Sequence, residues 1–116
     1  MYGLPQDFDA AVFVGQRFVH VTFTENSAHF GFTGDIVISV MASFSLHADG
    51  IHEDQGIPVR SSSAMWLLGR SVRLAEGRRD GTLTLTLDGD AALAYRDDSP
   101  HYESYQIQIG SREIRV

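Results

Sequence analysis

The sequence of 116 residues contains no cysteine and no lysine. Without cysteine, the chain cannot form disulfide bonds, thiol catalysts or zinc sites built on thiolates. No apolar run approaches the roughly 20 residues of a membrane-spanning helix. The N-terminus carries Asp7 and Asp9 where a signal peptide would carry basic side chains. We therefore expect a cytoplasmic protein that is not inserted in a membrane.

The charge of the chain is acidic and unevenly divided, with a formal net charge of −6. Residues 1–60 hold seven acidic residues against Arg17 and Arg60, whereas residues 61–116 hold eight acidic residues against seven arginines. An acidic chain is repelled by phosphate backbones and by anionic lipids, so nucleic-acid and membrane binding are disfavoured. A basic partner protein is compatible with this charge.

Two stretches of the chain resemble each other. FGFTGDIVISV at 30–40 and LTLDGDAALAY at 85–95 both consist of an alternating run, a Gly-Asp pair and a second alternating run. The length and the hydrophobic content of 43% are typical of one soluble globular domain, here residues 1–116. The pattern indicates one unit written twice, with repeat 1 at about 7–46, a mobile connector at 47–60 and repeat 2 at about 61–116.

Each repeat is predicted to open with a short helix. Asp9 and Ser63 are good N-caps because their side-chain oxygens accept hydrogen bonds from free amides of a first helical turn. Gly15 and Gly69 follow the apolar segments, where a left-handed glycine ends many helices. The segment from Met65 could instead begin a buried strand, since so short a run does not distinguish the two.

Three strands are predicted after each helix, and a hairpin from Tyr105 to Val116 ends the chain. A two-residue turn at Asn26-Ser27 would pair Phe23 with Phe30 and Val21 with Phe32. Alternation from Ile36 to Leu46 predicts one long strand. The expected fold is mainly β with two short helices, as a pseudo-symmetric sandwich or half-open barrel. Its predicted core is Val19, Val21, Phe23, Phe30, Phe32, Ile36, Ile38, Val40, Leu83, Leu85, Leu87, Leu93, Ile107 and Ile109.

Four short motifs are similar to those of an uncharacterised family of small bacterial proteins. They are MYGLP from Met1, LLGR from Leu67, DGD from Asp88 and HYESYQI from His101, which includes the Tyr-Glu-Ser-aromatic pattern at Tyr102. The resemblance covers most of the chain and implies no known activity. Small bacterial domains of this build often neutralise toxins, which is an argument by analogy.

Few residues offer a catalytic or metal site. His47, Asp49, His52, Glu53 and Asp54 could together bind a metal, but they lack the spacing of known helical motifs, and a solvated acidic loop is the better interpretation. We therefore predict no metal site, no cofactor and no catalytic residue.

A pocket between the repeats could be lined by His20, His29 or Glu103. In a strand, Glu103 would share the core side with Tyr105 and would need a partner such as Arg17 or Arg70. Anchoring of the C-terminal hairpin is the favoured role for this carboxylate, and a pocket acid is the alternative.

The sequence favours a non-catalytic protein-binding domain, of the type of an immunity protein that neutralises a basic toxin. Asp35, Asp49, Glu53 and Asp54 are its predicted contact residues, because no core packing should require them. A small enzyme or ligand-binding barrel with the pocket described above is one alternative. A structural homodimer that pairs through the long strand from Ile36 is another.

Overall fold

The structure is a computed structural model that describes residues 3–99 and 103–116. Tyr102 of the Tyr-Glu-Ser pattern lies outside this part of the chain. The protein is mainly β, as predicted, with 50% of its residues in strands. The ten strands are β1 Phe18–Phe23, β2 Ala28–Phe32, β3 Ile36–Val40, β4 Ser43–Ala48, β5 Ile51–Gly56, β6 Val72–Gly77, β7 Leu83–Leu87, β8 Ala91–Tyr95, β9 Tyr105–Ile109 and β10 Arg112–Arg115.

Residues 3–99 and 103–116 also contain three short 3₁₀ helices, and we call them the first (Ala10–Phe13), second (Ala64–Leu67) and third (Asp88–Asp90) 3₁₀ helix. None of the helices in the described ranges is long and apolar enough to cross a membrane. The Asp9 carboxylate caps the first helix by accepting a hydrogen bond from the Ala11 amide at 2.9 Å, as predicted. Ser63 does not cap the second helix with its side chain. Gly15 and Gly69 follow the first two helices with positive φ angles of 86° and 92°, which confirms their predicted left-handed conformation.

The strands form two antiparallel sheets of five that pack face to face as a β-sandwich. Sheet 1 has the order β1-β2-β3-β9-β10, and sheet 2 has the order β5-β4-β8-β7-β6. Aromatic rings pack between the two inner faces. The ring centroid of Phe30 in sheet 1 lies 4.9 Å from that of Phe44 and 5.3 Å from that of Tyr95 in sheet 2. In the part of the chain that the structure describes, the sheets do not close into a barrel.

The two halves of the chain have the same topology. In each half a 3₁₀ helix precedes five strands, and the last two strands join the sheet begun by the other half. The amides of Gly15 and Gly69 donate to the carbonyls of Val72 and Phe18, at 2.8 and 2.7 Å, so the two junctions make reciprocal bonds. These facts describe a shared topology, and the duplication itself stays a prediction.

The predicted long strand from Ile36 to Leu46 is wrong. Strands β3 and β4 lie in different sheets, and between them the amides of Met41 and Ala42 both donate to the Ser104 carbonyl, at 3.0 and 3.1 Å. Alternation cannot reveal this crossing because it continues on both sides of it. Both strands have neighbours on both edges, so a homodimer cannot pair through them.

The first hairpin keeps the predicted apolar face but has a different register. Phe23 pairs with Ala28 and Val21 with Phe30, two residues away from the predicted pairing. The turn is at Glu25-Asn26, because the Thr24 amide donates to the Ser27 carbonyl at 2.9 Å. A shift of two residues preserves the faces of a strand, so the hydrophobic pattern does not distinguish these registers.

The predicted core is largely confirmed, with one error at the start of β1. Phe18 is fully buried, whereas Val19 is 45% exposed, because the register shifts between Phe18 and His20. A bulge of this kind reverses the inside-outside alternation on one side of it. β6 has the same irregularity between Val72 and Leu74, and there Val72 is buried whereas Leu74 is exposed.

Candidate functional site

The predicted connector at 47–60 is mostly a β-hairpin and not a mobile loop. Strands β4 and β5 are joined by Asp49-Gly50, whose φ angles of 52° and 79° fit a two-residue turn with both residues left-handed. His47 and His52 are paired across the hairpin, with ring centroids 6.1 Å apart. No group of three or more His, Asp or Glu side chains within residues 3–99 and 103–116 is arranged to hold a metal ion.

The four acids predicted to contact a partner do not form one group. Asp35 is in the β2–β3 turn of sheet 1, where its carbonyl accepts from the Gly110 amide at 3.0 Å. Asp49, Glu53 and Asp54 all belong to the β4–β5 hairpin of sheet 2. The acids therefore divide between the two sheets.

Glu53 has a structural role that the sequence did not reveal. Its carboxylate accepts hydrogen bonds from the Ser63 amide at 2.9 and 3.1 Å and from the Ser62 hydroxyl at 2.9 Å, at the start of the second 3₁₀ helix. Partial burial opposes ionisation, but these bonds and one from Gln55 outweigh it and lower the pKa of Glu53. The carboxylate thus replaces the predicted cap by the Ser63 side chain.

Asp54 and Asp49 are also bonded within the chain. Asp54 accepts a hydrogen bond from the Ser45 hydroxyl at 2.5 Å, which lowers its pKa, with smaller effects of His52 and Arg96. Asp49 lies 3.5 Å from a guanidinium nitrogen of Arg70. The sequence did not predict these bonds, although neither carboxylate is part of the core.

His20 and His29 lie on the outer face of sheet 1, on the neighbouring strands β1 and β2. His29 is held on both sides, by the hydroxyls of Ser27 and Ser39 at 2.8 Å each. His20 bonds to the Thr22 hydroxyl at 2.6 Å. Hydroxyl partners hold these imidazoles in place on a solvent-facing surface.

The predicted environment of Glu103 is wrong. Its carboxylate pairs with Arg115 at 3.6 Å and remains 28% exposed, and neither Arg17 nor Arg70 is its partner. Strand β9 begins only at Tyr105, so the alternation that placed Glu103 on the core side does not extend to it. The next residue, Ser104, is the buried one, and it donates to Asp97 at 3.1 Å.

The exposed side chains of the second 3₁₀ helix form the feature that the sequence analysis missed. In a 3₁₀ helix residues three apart share a face. Ala64 and Leu67 are fully buried, which leaves Met65 60% exposed and Trp66 77% exposed. Leu68 after the helix is also exposed. A helix of four residues buries one face only, so a run of four large apolar residues had to leave some in solvent.

Trp66 borders a cleft of about 270 Å³ between the second 3₁₀ helix and the β4–β5 hairpin. Its apolar wall comes from Leu46, Ala48, Ile51 and Trp66, and its polar rim from Asp49, Ser63 and Arg70. We call it the Trp66 cleft. Glu53 fixes the position of one wall of the cleft relative to the other, because its carboxylate joins β5 to the start of the second 3₁₀ helix.

A cleft of about 480 Å³ occupies the equivalent place in the first half, and we call it the Val12 cleft. It is lined by Asp7, Phe8, Asp9, Ala11, Val12, Ile109 and Arg112. Here Phe8 packs edge-on against Phe13 at 6.5 Å, and Asp7 pairs with Arg112 at 3.6 Å across the opening. A third cleft, of about 500 Å³, lies between loop segments near Leu4 and Arg78. His20, His29 and Glu103 line none of these three clefts.

The comparisons with known proteins do not add a function to this geometry. No known protein family, curated protein or solved structure matches the chain.

Proposed function

We propose that the chain is a non-catalytic protein-binding domain of the immunity type, and that its partner docks on the Trp66 cleft and the adjoining Met65 and Leu68. The observation that carries the proposal is the 77% exposure of Trp66, the single tryptophan of the chain. A partner that covers a large exposed apolar side chain gains hydrophobic free energy. Tryptophan is also among the residue types most enriched at interface hot spots.

The size of the Trp66 cleft favours a protein partner over a free small molecule. Its volume of about 270 Å³ is at the lower end of typical ligand pockets, which are roughly 300–1,000 Å³. Such a cleft suits one inserted side chain, with Trp66 and Met65 in contact with the surface around it. Apolar anchors of this kind, surrounded by a polar rim, are characteristic of protein interfaces.

The charge of the chain supports a basic partner, but the acids have a smaller role than the sequence predicted. Asp49 lies on the rim of the Trp66 cleft and is paired with Arg70. Glu53 and Asp54 are hydrogen-bonded within the chain. We infer that Trp66 supplies most of the affinity, whereas Asp49 and the net charge of −6 raise the association rate.

We also infer that the two halves descend from one duplicated unit in which only one copy of the cleft became a binding site. The support is the equivalent topology and the reciprocal bonds of Gly15 and Gly69. At an offset of 54 residues, Val12 aligns with Trp66. The two clefts thus differ at this position, which is a partly buried valine in one and an exposed tryptophan in the other.

The test is affinity capture from extracts of the source organism with the wild type, Trp66→Ala and Val12→Ala. A captured protein is then purified and titrated against all three. Trp66→Ala should weaken binding at least roughly tenfold, while Val12→Ala, altered at the equivalent position, should bind like the wild type. Binding to the wild type should also slow as salt is raised.

A partner that binds Trp66→Ala as tightly as the wild type would place the interface elsewhere and overturn the proposal. Capture of no protein, combined with a small molecule retained by the purified wild type, would contradict it in favour of a ligand-binding role.

A further inference from the structure

Strand β5 is the edge of sheet 2 beside the Trp66 cleft. It pairs with β4 on one side only. Its residues make no further backbone hydrogen bond to any other part of residues 3–99 and 103–116. An edge strand of this kind presents a row of unpaired amide and carbonyl groups to solvent.

The register of the hairpin decides which groups are unpaired. Ala48 and Ile51 flank a two-residue turn and so form a hydrogen-bonded pair, and such pairs alternate with non-bonded ones along an antiparallel ladder. The Ile57 amide donates to the Ala42 carbonyl at 3.2 Å, which continues the same phase beyond the strand. Ile51, Glu53 and Gln55 therefore bond to β4, while the amides and carbonyls of His52, Asp54 and Gly56 point away from the sheet.

The other edges are less open. The first residues of β1 and β6 already bond to the opposite half, through Arg70 and Gln16. Gly77 at the end of β6 lies close to the Leu4 side chain. Strand β10 is the equivalent of β5, but it carries Arg112, Glu113 and Arg115, and Asp7 pairs with the first of these.

We propose that β5 receives an extended segment of the partner as a sixth strand of sheet 2, and that this segment is basic, with an apolar residue that enters the Trp66 cleft. This inference rests on the proposed function and specifies how the partner binds. Strand addition supplies affinity through main-chain bonds and specificity through alternate side chains.

The side chains of β5 determine the chemistry of the added strand. Ile51 and Glu53 are opposite the core-facing Ala48 and Leu46, so they point to the cleft side. His52 and Asp54 point to the outer face, where Asp54 is 65% exposed. Alternate residues of the added strand would therefore face the cleft and Asp54 in turn. A lysine or arginine fits beside Asp54, and an aliphatic residue fits beside Ile51 and Trp66.

A second copy of the chain is disfavoured at the centre of this edge. An antiparallel register centred on β5 places Glu53 or Asp54 opposite the same residue of the copy. Like charges directly opposite each other destabilise a strand pair. A heterologous basic segment removes this repulsion.

The experiment is selection of a display library of random twelve-residue peptides on the immobilised protein, followed by titration of the enriched peptides. Trp66 fluorescence reports whether the cleft is occupied, and amide hydrogen exchange reports whether His52 and Asp54 become protected. His52→Pro removes one outward amide without breaking the β4 ladder. His52→Ala controls for the lost imidazole, and Glu113→Pro makes the same change on the equivalent β10 edge.

We expect enriched peptides that alternate basic and apolar residues and that protect the His52 and Asp54 amides. His52→Pro should weaken their binding roughly tenfold, since it removes a hydrogen bond and obstructs the edge, while His52→Ala and Glu113→Pro change it less than threefold. If Trp66→Ala weakens binding but His52→Pro acts like His52→Ala, strand addition is wrong and the docking surface stands. If no peptide is enriched, or if neither Trp66→Ala nor His52→Pro weakens binding, both proposals fail.

Discussion

The first and second 3₁₀ helices occupy equivalent places in the fold but differ in the side chains that they expose to solvent. Phe13 and Leu67 are each fully buried beneath them. Phe8 covers the first helix, whereas the residue at the equivalent position before the second helix is Ser62, which bonds to Glu53. The topology therefore needs only the buried residue of each helix. The large exposed side chains of the second are not needed by the fold, which is the basis for proposing an interface there.

The largest expected effect tests the bulge that both halves share. Phe18→Ala should lower the free energy of unfolding by about 3–5 kcal/mol, because a fully buried ring is lost from contacts with Phe30 and Phe32 at centroid distances of 5.9 and 5.4 Å. Val19→Ala is the matched control and should cost less than about 1 kcal/mol. Urea denaturation of both variants measures the difference. A larger loss of stability for Val19→Ala than for Phe18→Ala would contradict the bulge and support simple alternation along β1.

This pair of residues also shows what the sequence could predict. Alternation predicted most of the strands, and ten of its fourteen predicted core residues are buried, because burial on one face of a sheet imposes a period of two. It did not predict the β4–β5 hairpin. It could not show the bulge at Val19 or the crossing at Met41, since both depend on contacts distant in sequence. The exposure of Trp66 could not be predicted from hydrophobicity either. It follows from the short length of the helix and from a neighbour, Glu53, that is ten positions away from Ser63.

The next effect compares the carboxylates that anchor the two helices. Glu53→Ala should destabilise the fold by about 1–3 kcal/mol, because it leaves the partly buried Ser63 amide and Ser62 hydroxyl without their acceptor. Asp9→Ala removes one exposed cap bond, to Ala11, and should cost about 0.5–1 kcal/mol. Chemical denaturation at neutral pH compares them. Equal losses would mean that Glu53 is no more than an ordinary cap.

The contribution of Glu53 should also depend on pH. Its pKa in the folded state lies below the ordinary carboxyl value of 4.5, so the folded state binds the proton less readily than the unfolded chain. The associated stabilisation is complete above the ordinary value and is lost as the pH falls through the lowered pKa. The gap in unfolding free energy between the wild type and Glu53→Gln should therefore be constant from pH 8 to about pH 6 and should narrow below about pH 4.5. A gap that widens on acidification would contradict the direction of the shift.

The smallest expected effect on stability is the one that separates structure from binding. Trp66→Ala should change the free energy of unfolding by no more than about 0.5 kcal/mol, because an exposed side chain has little packing to lose. Val12→Ala, at the equivalent position, should cost about 0.5–1.5 kcal/mol, since Val12 is partly buried and packs against the core. Both are measured by circular dichroism during denaturation, because the fluorescence of the single tryptophan is absent from one variant. A loss above 2 kcal/mol for Trp66→Ala would show that the tryptophan supports the fold, and its exposure would then no longer indicate an interface. A small loss would show that the fold does not need the tryptophan, as the proposed interface requires.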